Sequence, residues 1–164
     1  MPARRGEPTV SRTRGRGARA AATARRGILP GLIGYQLRRA QIAVFQNFAR
    51  TMAAHDITPG RFGVLEVIAA NAGLSQSELG AILGIDRSTV VAVIDRLEKD
   101  GLVRRMKAPN DRRSHALKLS EKGAVTLAVL EQRVAAHERD IAGALSAAER
   151  KTLLSLLARI ADGG

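Results

Sequence analysis

The chain has 164 residues, of which 45% are hydrophobic, so it can bury one core but is too short for two ordinary domains. Lys and Arg number 27 against 15 Asp and Glu, a formal charge of +12 that favours a polyanionic partner such as nucleic acid. Aromatic residues make up only 2%, which disfavours a stacking surface for single strands and leaves duplex DNA, and the absence of cysteine excludes disulfides and thiolate catalysis.

The first 26 residues contain eight arginines, one glutamate and scarcely a large apolar side chain. Such a segment cannot offset its ordering entropy by burial, so we predict a disordered basic arm over residues 1–27. It is either a solvated tail or a nonspecific contact to phosphates. No run in the sequence reaches the roughly 18 apolar residues needed to cross a bilayer. We therefore expect a cytoplasmic protein without a membrane partner.

Residues 28–56 are predicted to form an N-terminal dimerisation helix. Pro30 suits a first helical turn, and apolar residues follow at helical spacing, on two faces, to about His55. One small domain cannot cover both faces, so we expect the second to meet a partner subunit. Burial wholly within the monomer is the alternative.

Residues 57–120 are predicted to form a winged helix-turn-helix lobe. Thr58-Pro59 begins a second helix, the capping-box residues 75–78 begin a third, and Asp86 can cap a fourth from Arg87 to Asp100. The third and fourth helices are joined by a short turn containing Gly84, which is the helix-turn-helix arrangement.

A β-hairpin, the wing, is predicted after the fourth helix. Residues 102–107 and 115–119 alternate in polarity and flank a turn at residues 109–113. Most of the local positive charge lies here, and it forms a basic strip of six residues: Arg104, Arg105, Lys107, Arg112, Arg113 and Lys118.

Two helices follow in residues 121–164. Ser120 can cap a fifth helix to about Ala144, and residues 146–149 form a capping box that begins a sixth. The predicted inner face of the fifth helix consists of Val125, Ala128, Gln132, Ala135 and Ile141. The fold class is thus mainly α with a small β-hairpin, in the order α-α-α-α-β-β-α-α: a winged helix-turn-helix with helical extensions at both ends.

The lobe offers two sets of DNA-binding candidates. Residues near the start of the fourth helix can reach base edges in the major groove, and the start of the third helix favours a phosphate. Arg96, further along, is either a phosphate clamp or an intradomain ion pair. The helical candidates are Ser75, Gln76, Ser77, Arg87, Ser88, Thr89, Val91 and Arg96.

The hairpin tip supplies the second set, at the adjacent minor groove. Arg113 is the candidate inserted arginine and Arg112 lies beside it. Asp111 would be repulsive unless it pairs with an arginine, so we interpret it as the residue that orients Arg113. A solvated charged turn is the alternative.

The stretch DRSTVVAVIDRLEKDGLVRRMKAPNDRRSHALKLSEKG, residues 86–123, resembles the MarR (multiple antibiotic resistance regulator) family of bacterial transcription factors. The resemblance implies a homodimer joined through its first, fifth and sixth helices, so that residues 121–164 are C-terminal dimerisation helices. It also implies a repressor that binds a palindromic operator and is released by a small ligand. Ser88 and Thr89 match the base readers, and Asp111 and Arg113 match the wing residues, while the role of Arg112 is open.

The stretch LIGYQLRRAQIAVFQNF is similar to the first helices of members that control aromatic-acid catabolism, some of which sense an aromatic acyl-coenzyme A thioester. We hypothesise that Arg38 or Arg39 meets an anionic group of such a ligand beside an apolar pocket. Alternatively, both arginines lie at the dimer rim or contact phosphate. The other effector candidates are Tyr35, Ile42, Phe45, His55 and Phe62.

No catalytic or metal-binding constellation accompanies these features. The three histidines are far apart, and His137-Glu138 lacks the second histidine of a zinc motif. We expect a regulator rather than an enzyme, with no metal or cofactor and with each histidine at the surface or at a helix end. A nonspecific architectural DNA-binding protein is the alternative function.

Overall fold

The computed structural model describes residues 25–108 and 111–163, the side chains of residues 107–115 excepted. Within this part of the chain it has six α-helices and one antiparallel hairpin, which confirms the predicted fold class. The predicted arm lies outside the described residues, apart from residues 25–27. The elements in order are α1 (Ile33–Thr51), α2 (Pro59–Ala70), α3 (Gln76–Leu83), α4 (Arg87–Lys99), β1 (Val103–Ala108), β2 (Asp111–Leu119), α5 (Glu121–Ile141) and α6 (Ala147–Asp162).

Helix α1 is shorter at both ends than the sequence predicts. Pro30 begins a separate 3-10 turn, Leu29–Gly31, and Leu32 then adopts an extended conformation with φ −92° and ψ 128°. A second 3-10 turn, Ala53–His55, follows α1 and ends at Asp56, which has a left-handed φ of 47°. The apolar pattern therefore spans two 3-10 turns and the 19-residue helix between them. Apolar spacing alone does not reveal the backbone breaks that separate these segments.

The helix boundaries of the lobe are set by capping residues and a glycine turn that the sequence predicts. Thr58, Ser75 and Asp86 each accept a hydrogen bond from a backbone N–H of the helix they precede, as predicted. Gly84 joins α3 to α4 with φ 63°, a left-handed conformation that suits glycine. The apolar faces of α2, α3 and α4 meet in a core whose least exposed side chains include Val64, Leu65, Ile68, Leu79, Val90, Ile94 and Leu97.

The hairpin differs from the prediction in its turn. Strand β2 begins at Asp111, so residues 111–113 of the turn predicted over residues 109–113 belong to a strand instead, and Ala108 pairs with Asp111. The register then shifts, because the next pair is Lys107 with His115, and this bulge places residues 112–114 within β2. A further pairing that the sequence did not predict joins β2 to the start of α3, through Leu117 N–H to the Leu74 carbonyl at 2.8 Å.

Ser120 and Gly123 connect the hairpin to α5. The Ser120 hydroxyl donates to the Gly101 carbonyl at 2.6 Å and accepts from the Gly123 N–H at 2.9 Å. A Cβ on residue 123 would lie 1.9 Å from the Leu102 carbonyl oxygen, so only glycine allows α5 to approach the hairpin this closely. The serine and glycine of the LSEKG stretch are therefore required by packing.

The predicted inner face of α5 is wrong. Val125 is 65% exposed, and Ala128, Gln132 and Ala135 are exposed while Ile141 is half-buried. The close approach at Gly123 sets the rotation of the helix, and the residues that follow it at helical spacing are buried instead. The buried side of α5 consists of Gly123, Leu127, Leu130 and His137.

Helix α6 has no buried residue. Its capping box is present as predicted, since Ser146 accepts from the Glu149 N–H and Glu149 accepts from the Ser146 N–H. Its large apolar side chains are exposed: Leu153, Leu154, Leu156, Leu157 and Ile160. None of the helices in the described part of the chain is both long and apolar enough to cross a membrane.

Candidate nucleic-acid interface

The start of α4 presents the predicted base readers on the surface. Arg87, Ser88 and Thr89 are exposed and Val91 is 37% exposed, whereas Val90 lies on the opposite, buried face. The buried face fixes the helix in the lobe, so its first turn is held in place with polar side chains outward. This arrangement suits insertion into a major groove.

Asp86 forms hydrogen bonds with two of these candidate base-contacting side chains as well as with the backbone. Its carboxylate accepts hydrogen bonds from the Ser88 hydroxyl, the Thr89 hydroxyl at 2.6 Å and the Thr89 N–H at 3.0 Å. The bonds from Ser88 and then Thr89 hold the pKa of Asp86 well below its ordinary value. Because the hydroxyl protons point to Asp86, Ser88 and Thr89 offer their oxygen lone pairs to the outside. The sequence predicts the cap but not this second effect.

At the start of α3, hydrogen-bonding groups of Ser75 and Glu78 are paired with each other. Ser75 N–H donates to the Glu78 carboxylate at 2.7 Å, and the Ser75 hydroxyl accepts from the Glu78 N–H at 3.3 Å. The backbone bond from Ser75 lowers the pKa of Glu78, so this carboxylate is ionised where a phosphate was predicted. Gln76 is half-buried and Ser77 is exposed, so Ser77 is the more accessible of the remaining candidates.

Arg96 forms ion pairs within the lobe. Its guanidinium lies 2.9 Å from the Asp100 carboxylate and 3.3 Å from the Asp56 carboxylate. Of the two roles that the sequence left open for Arg96, the structure contains the ion pair. A phosphate contact would have to compete with these two acids.

The basic strip divides between the two faces of the hairpin. Arg104 and Lys118 are exposed and lie opposite each other in the register, a like-charge pair that a polyanion would stabilise. Arg105 points the other way and pairs with Asp95 and Glu98 of α4. The side chains of Asp111, Arg112 and Arg113 lie outside the described residues.

The predicted effector residues at the start of α1 include a small cluster. The Arg39 guanidinium carbon lies 5.8 Å from the centre of the Tyr35 ring, and Arg39 donates to Gln36 at 3.3 Å. Gln36 in turn donates to the Pro30 carbonyl at 2.6 Å. Arg38 is exposed, and no hydrogen bond or ion pair joins it to the other described side chains.

Later effector candidates fall into two environments. Ile42 is 46% and Phe45 is 50% exposed, while Phe62 is half-buried with its ring centre 6.4 Å from that of Phe48. His55 instead lines a groove of about 420 Å³ that contains none of the other predicted effector residues. The lining of this groove includes Asp56, Arg96, Lys99, Asp100 and Lys122.

His137 is not at the surface, contrary to the prediction. It is 3% exposed, its Nδ1 lies 2.7 Å from Asn47 Oδ1, and its ring meets Phe48 edge-on at 5.3 Å. Its position on the buried side of α5 explains the error, since the sequence placed the wrong face inward. Among the described residues, no three acidic or histidine side chains come together as a metal site.

The fold and the exposed start of α4 together define a winged helix-turn-helix protein. A family model described as MarR family matches residues 55–114. A candidate transcriptional regulatory protein for the hcr operon of Thauera aromatica is 45% identical over 135 residues, which cover 82% of this chain and 81% of that protein. The chain belongs to the MarR family.

Solved structures of one repressor share this fold. The transcriptional repressor CouR bound to a 23-mer DNA duplex is 44% identical with a TM-score of 0.81, and the match covers 84% of this chain and 98% of that chain. CouR bound to p-coumaroyl-CoA is 42% identical with a TM-score of 0.78, and the match covers 84% of this chain and 96% of that chain.

Proposed function

We propose that this MarR-family protein is a homodimeric transcriptional repressor that binds a palindromic operator and is released by an aromatic acyl-CoA thioester. The observation that carries the proposal is the start of α4, where polar side chains are exposed on a helix anchored by a buried apolar face. CouR, a similar repressor, was solved in one structure with a DNA duplex and in another with p-coumaroyl-CoA. The protein would act in the cytoplasm as a regulator, not as an enzyme.

Each part of the chain would have one role. Residues 57–120 form the DNA-binding lobe, with Arg87, Ser88, Thr89 and Val91 at the major groove and Arg113 at the minor groove. Residues 28–56 and 121–164 contribute the subunit interface. The exposed apolar side chains of α6, such as Leu154 at 58% exposure, support this assignment because a partner subunit would cover them.

An acyl-CoA has an apolar acyl end and a polyphosphate end, and the predicted effector residues include side chains suited to each. Ile42 and Phe45 are exposed apolar side chains suited to the acyl end. Arg38 is exposed and suited to phosphate, whereas Arg39 is held against Tyr35 and Gln36. We therefore assign the larger electrostatic role to Arg38.

The test is release from DNA. A fluorescent operator duplex bound to the protein is titrated with p-coumaroyl-CoA, with free CoA and with p-coumarate. We expect release by the thioester at far lower concentrations than by either fragment. For Arg38→Ala, the concentration for half release should rise by roughly 10-fold or more, the value of a charge-assisted hydrogen bond.

Arg50→Ala is the matched control, because Arg50 is another exposed arginine on the same helix. It should leave half release unchanged. Equal shifts in Arg38→Ala and Arg50→Ala would contradict the phosphate role of Arg38. If none of the three compounds releases the DNA, the assignment of the effector class is wrong.

A further inference from the structure

Arg105 joins the hairpin to the recognition helix. It lies on β1, and its guanidinium donates to both Asp95 and Glu98, which are one turn apart on α4. Its backbone N–H also donates to Glu98, at 3.2 Å. Two carboxylates of one helix therefore hold both the side chain and the backbone of a single strand residue.

The chemistry of this junction favours a fixed orientation. A planar guanidinium bonds two carboxylates in a defined geometry, which a flexible ammonium does not. The Arg105 side chain is only 21% exposed, compared with 58% for Asp95 and 38% for Glu98. Burial lowers the pKa of Arg105, but the bonds and charges of the two acids outweigh this effect and the net pKa is raised.

The junction also lies where the apolar anchoring of the hairpin ends. Val103 and Leu117 are buried at the base of the hairpin, whereas Met106, the next residue after Arg105, is 50% exposed. Among the described side chains of β1, Arg105 is therefore the last that pairs with the rest of the lobe. The Arg105 contact fixes β1 against α4, while the pairing of Ala116 and Leu117 with residues 74–75 fixes β2 against the segment before α3.

We infer that Arg105 is a positioning residue of the operator-binding site. Through its ion pairs with Asp95 and Glu98, Arg105 holds the wing at a set angle to α4. Contacts of α4 in the major groove and of the wing tip in the minor groove are then made in one register. The guanidinium also offsets one of the two negative charges that Asp95 and Glu98 place on the recognition helix, which reduces their repulsion of phosphates. This inference rests on the proposed function.

The experiment compares two arginines on adjacent positions of β1. Arg105→Gln and the control Arg104→Gln remove the same charge, but Arg104 is exposed on the opposite face of the hairpin. The operator is first selected by the wild-type protein from a random duplex pool. Each variant is then tested on this operator and on a copy with substituted outer base pairs, at a temperature at which circular dichroism shows it fully folded.

We expect the wild type to prefer its own outer base pairs by roughly 5- to 100-fold, the usual cost of a mismatched pair. Arg105→Gln should lose most of this preference, and its hydroxyl-radical footprint should lose the outer minor-groove protection. Arg104→Gln should bind all duplexes more weakly and keep the preference. Arg105→Lys should retain part of it, since an ammonium can pair with one carboxylate.

If Arg105→Gln does not fold, Asp95→Asn replaces it, because this variant leaves the Glu98 pair in place and should give an intermediate loss. An unchanged flank preference and footprint in the folded Arg105 or Asp95 variants would overturn the inference while leaving the repressor function intact. A wild-type protein that selects no operator at all would overturn the proposed function and this inference together.

Discussion

The DNA-binding lobe buries its large apolar side chains, whereas the C-terminal helix α6 exposes them. In the lobe, Leu79, Ile94 and Leu97 are completely buried. In α6, Leu154 is 58% and Ile160 is 49% exposed, although the helix is as regular and as well capped as those of the lobe. The lobe therefore completes its core within one chain, whereas the apolar surface of α6 is suited to a partner, which is what a dimeric repressor requires.

The largest effect should come from the core of the lobe. Leu97→Ala removes a buried side chain and leaves a cavity, so we expect a loss of about 2–5 kcal/mol in the free energy of unfolding. Urea denaturation at one fixed protein concentration measures this loss. Val91→Ala, on the exposed side of the same helix, should cost less than about 1 kcal/mol. Similar losses in the two variants would contradict the description of the lobe core.

A charge on α6 should act on association instead. Leu154→Asp places a carboxylate in the proposed subunit interface, so we expect the dimer dissociation constant to rise at least tenfold, about 1.4 kcal/mol. Sedimentation velocity over a range of concentrations measures it. Ser155→Asp, on the polar side of the helix that also holds Thr152 and Arg159, is the control and should leave the dimer intact. A Leu154→Asp protein that dimerises normally would remove α6 from the interface.

A smaller effect is expected at the start of α4. Asp86→Ala removes the cap and the acceptor for Ser88 and Thr89, so both the melting temperature and operator affinity should fall, whereas Asp86→Asn should keep most of the cap. Because folding lowers the pKa of Asp86, its contribution is present above about pH 4 and is lost as the pH falls through the lower folded pKa. Thermal melts between pH 2 and 7 check this sign. A gap between wild type and Asp86→Ala that widens in acid would contradict it.

The smallest effect should be at Glu66, on α2. Burial first, and the charge of Glu131 second, raise the pKa of Glu66, so its ionised form weakens the fold at neutral pH. The penalty should disappear as the pH falls through the raised folded pKa. Glu66→Gln should therefore stabilise the protein at pH 7 by about 1 kcal/mol or less and should have no advantage in acid. Urea denaturation at pH 7 and pH 4 measures this, and a destabilised variant at pH 7 would refute it.

The sequence predicts the lobe well because its signals are local. A cap three residues before its N–H partner, a glycine between two helices and apolar residues at helical spacing are all visible in one chain segment. The same holds for the start of α4, where Asp86 and the exposed polar residues follow from a few consecutive positions. The elements of the lobe could thus be predicted to within a few residues.

The errors arose where contacts distant in sequence decide the outcome. The buried side of α5 is set by the approach of Gly123 to Leu102, and no periodicity within α5 reveals that approach. The same rotation buries His137 and brings it to Asn47, its hydrogen-bond partner 90 positions away in the sequence. The sequence places Arg105 in the basic strip and does not reveal its ion pairs, because its partners Asp95 and Glu98 lie on another element. In each case a residue pattern gives the element, and tertiary packing gives its orientation.

A sequence-specific repressor recognises a particular operator rather than duplex DNA in general. Fluorescence anisotropy with the selected palindrome and with a scrambled duplex of equal length, at about 0.15 M salt, tests it most directly. We expect an affinity for the palindrome roughly 1,000-fold or more above that for the scrambled duplex. Equal affinity for the two duplexes, falling together as salt is raised, would contradict it and would indicate a nonspecific DNA-coating protein.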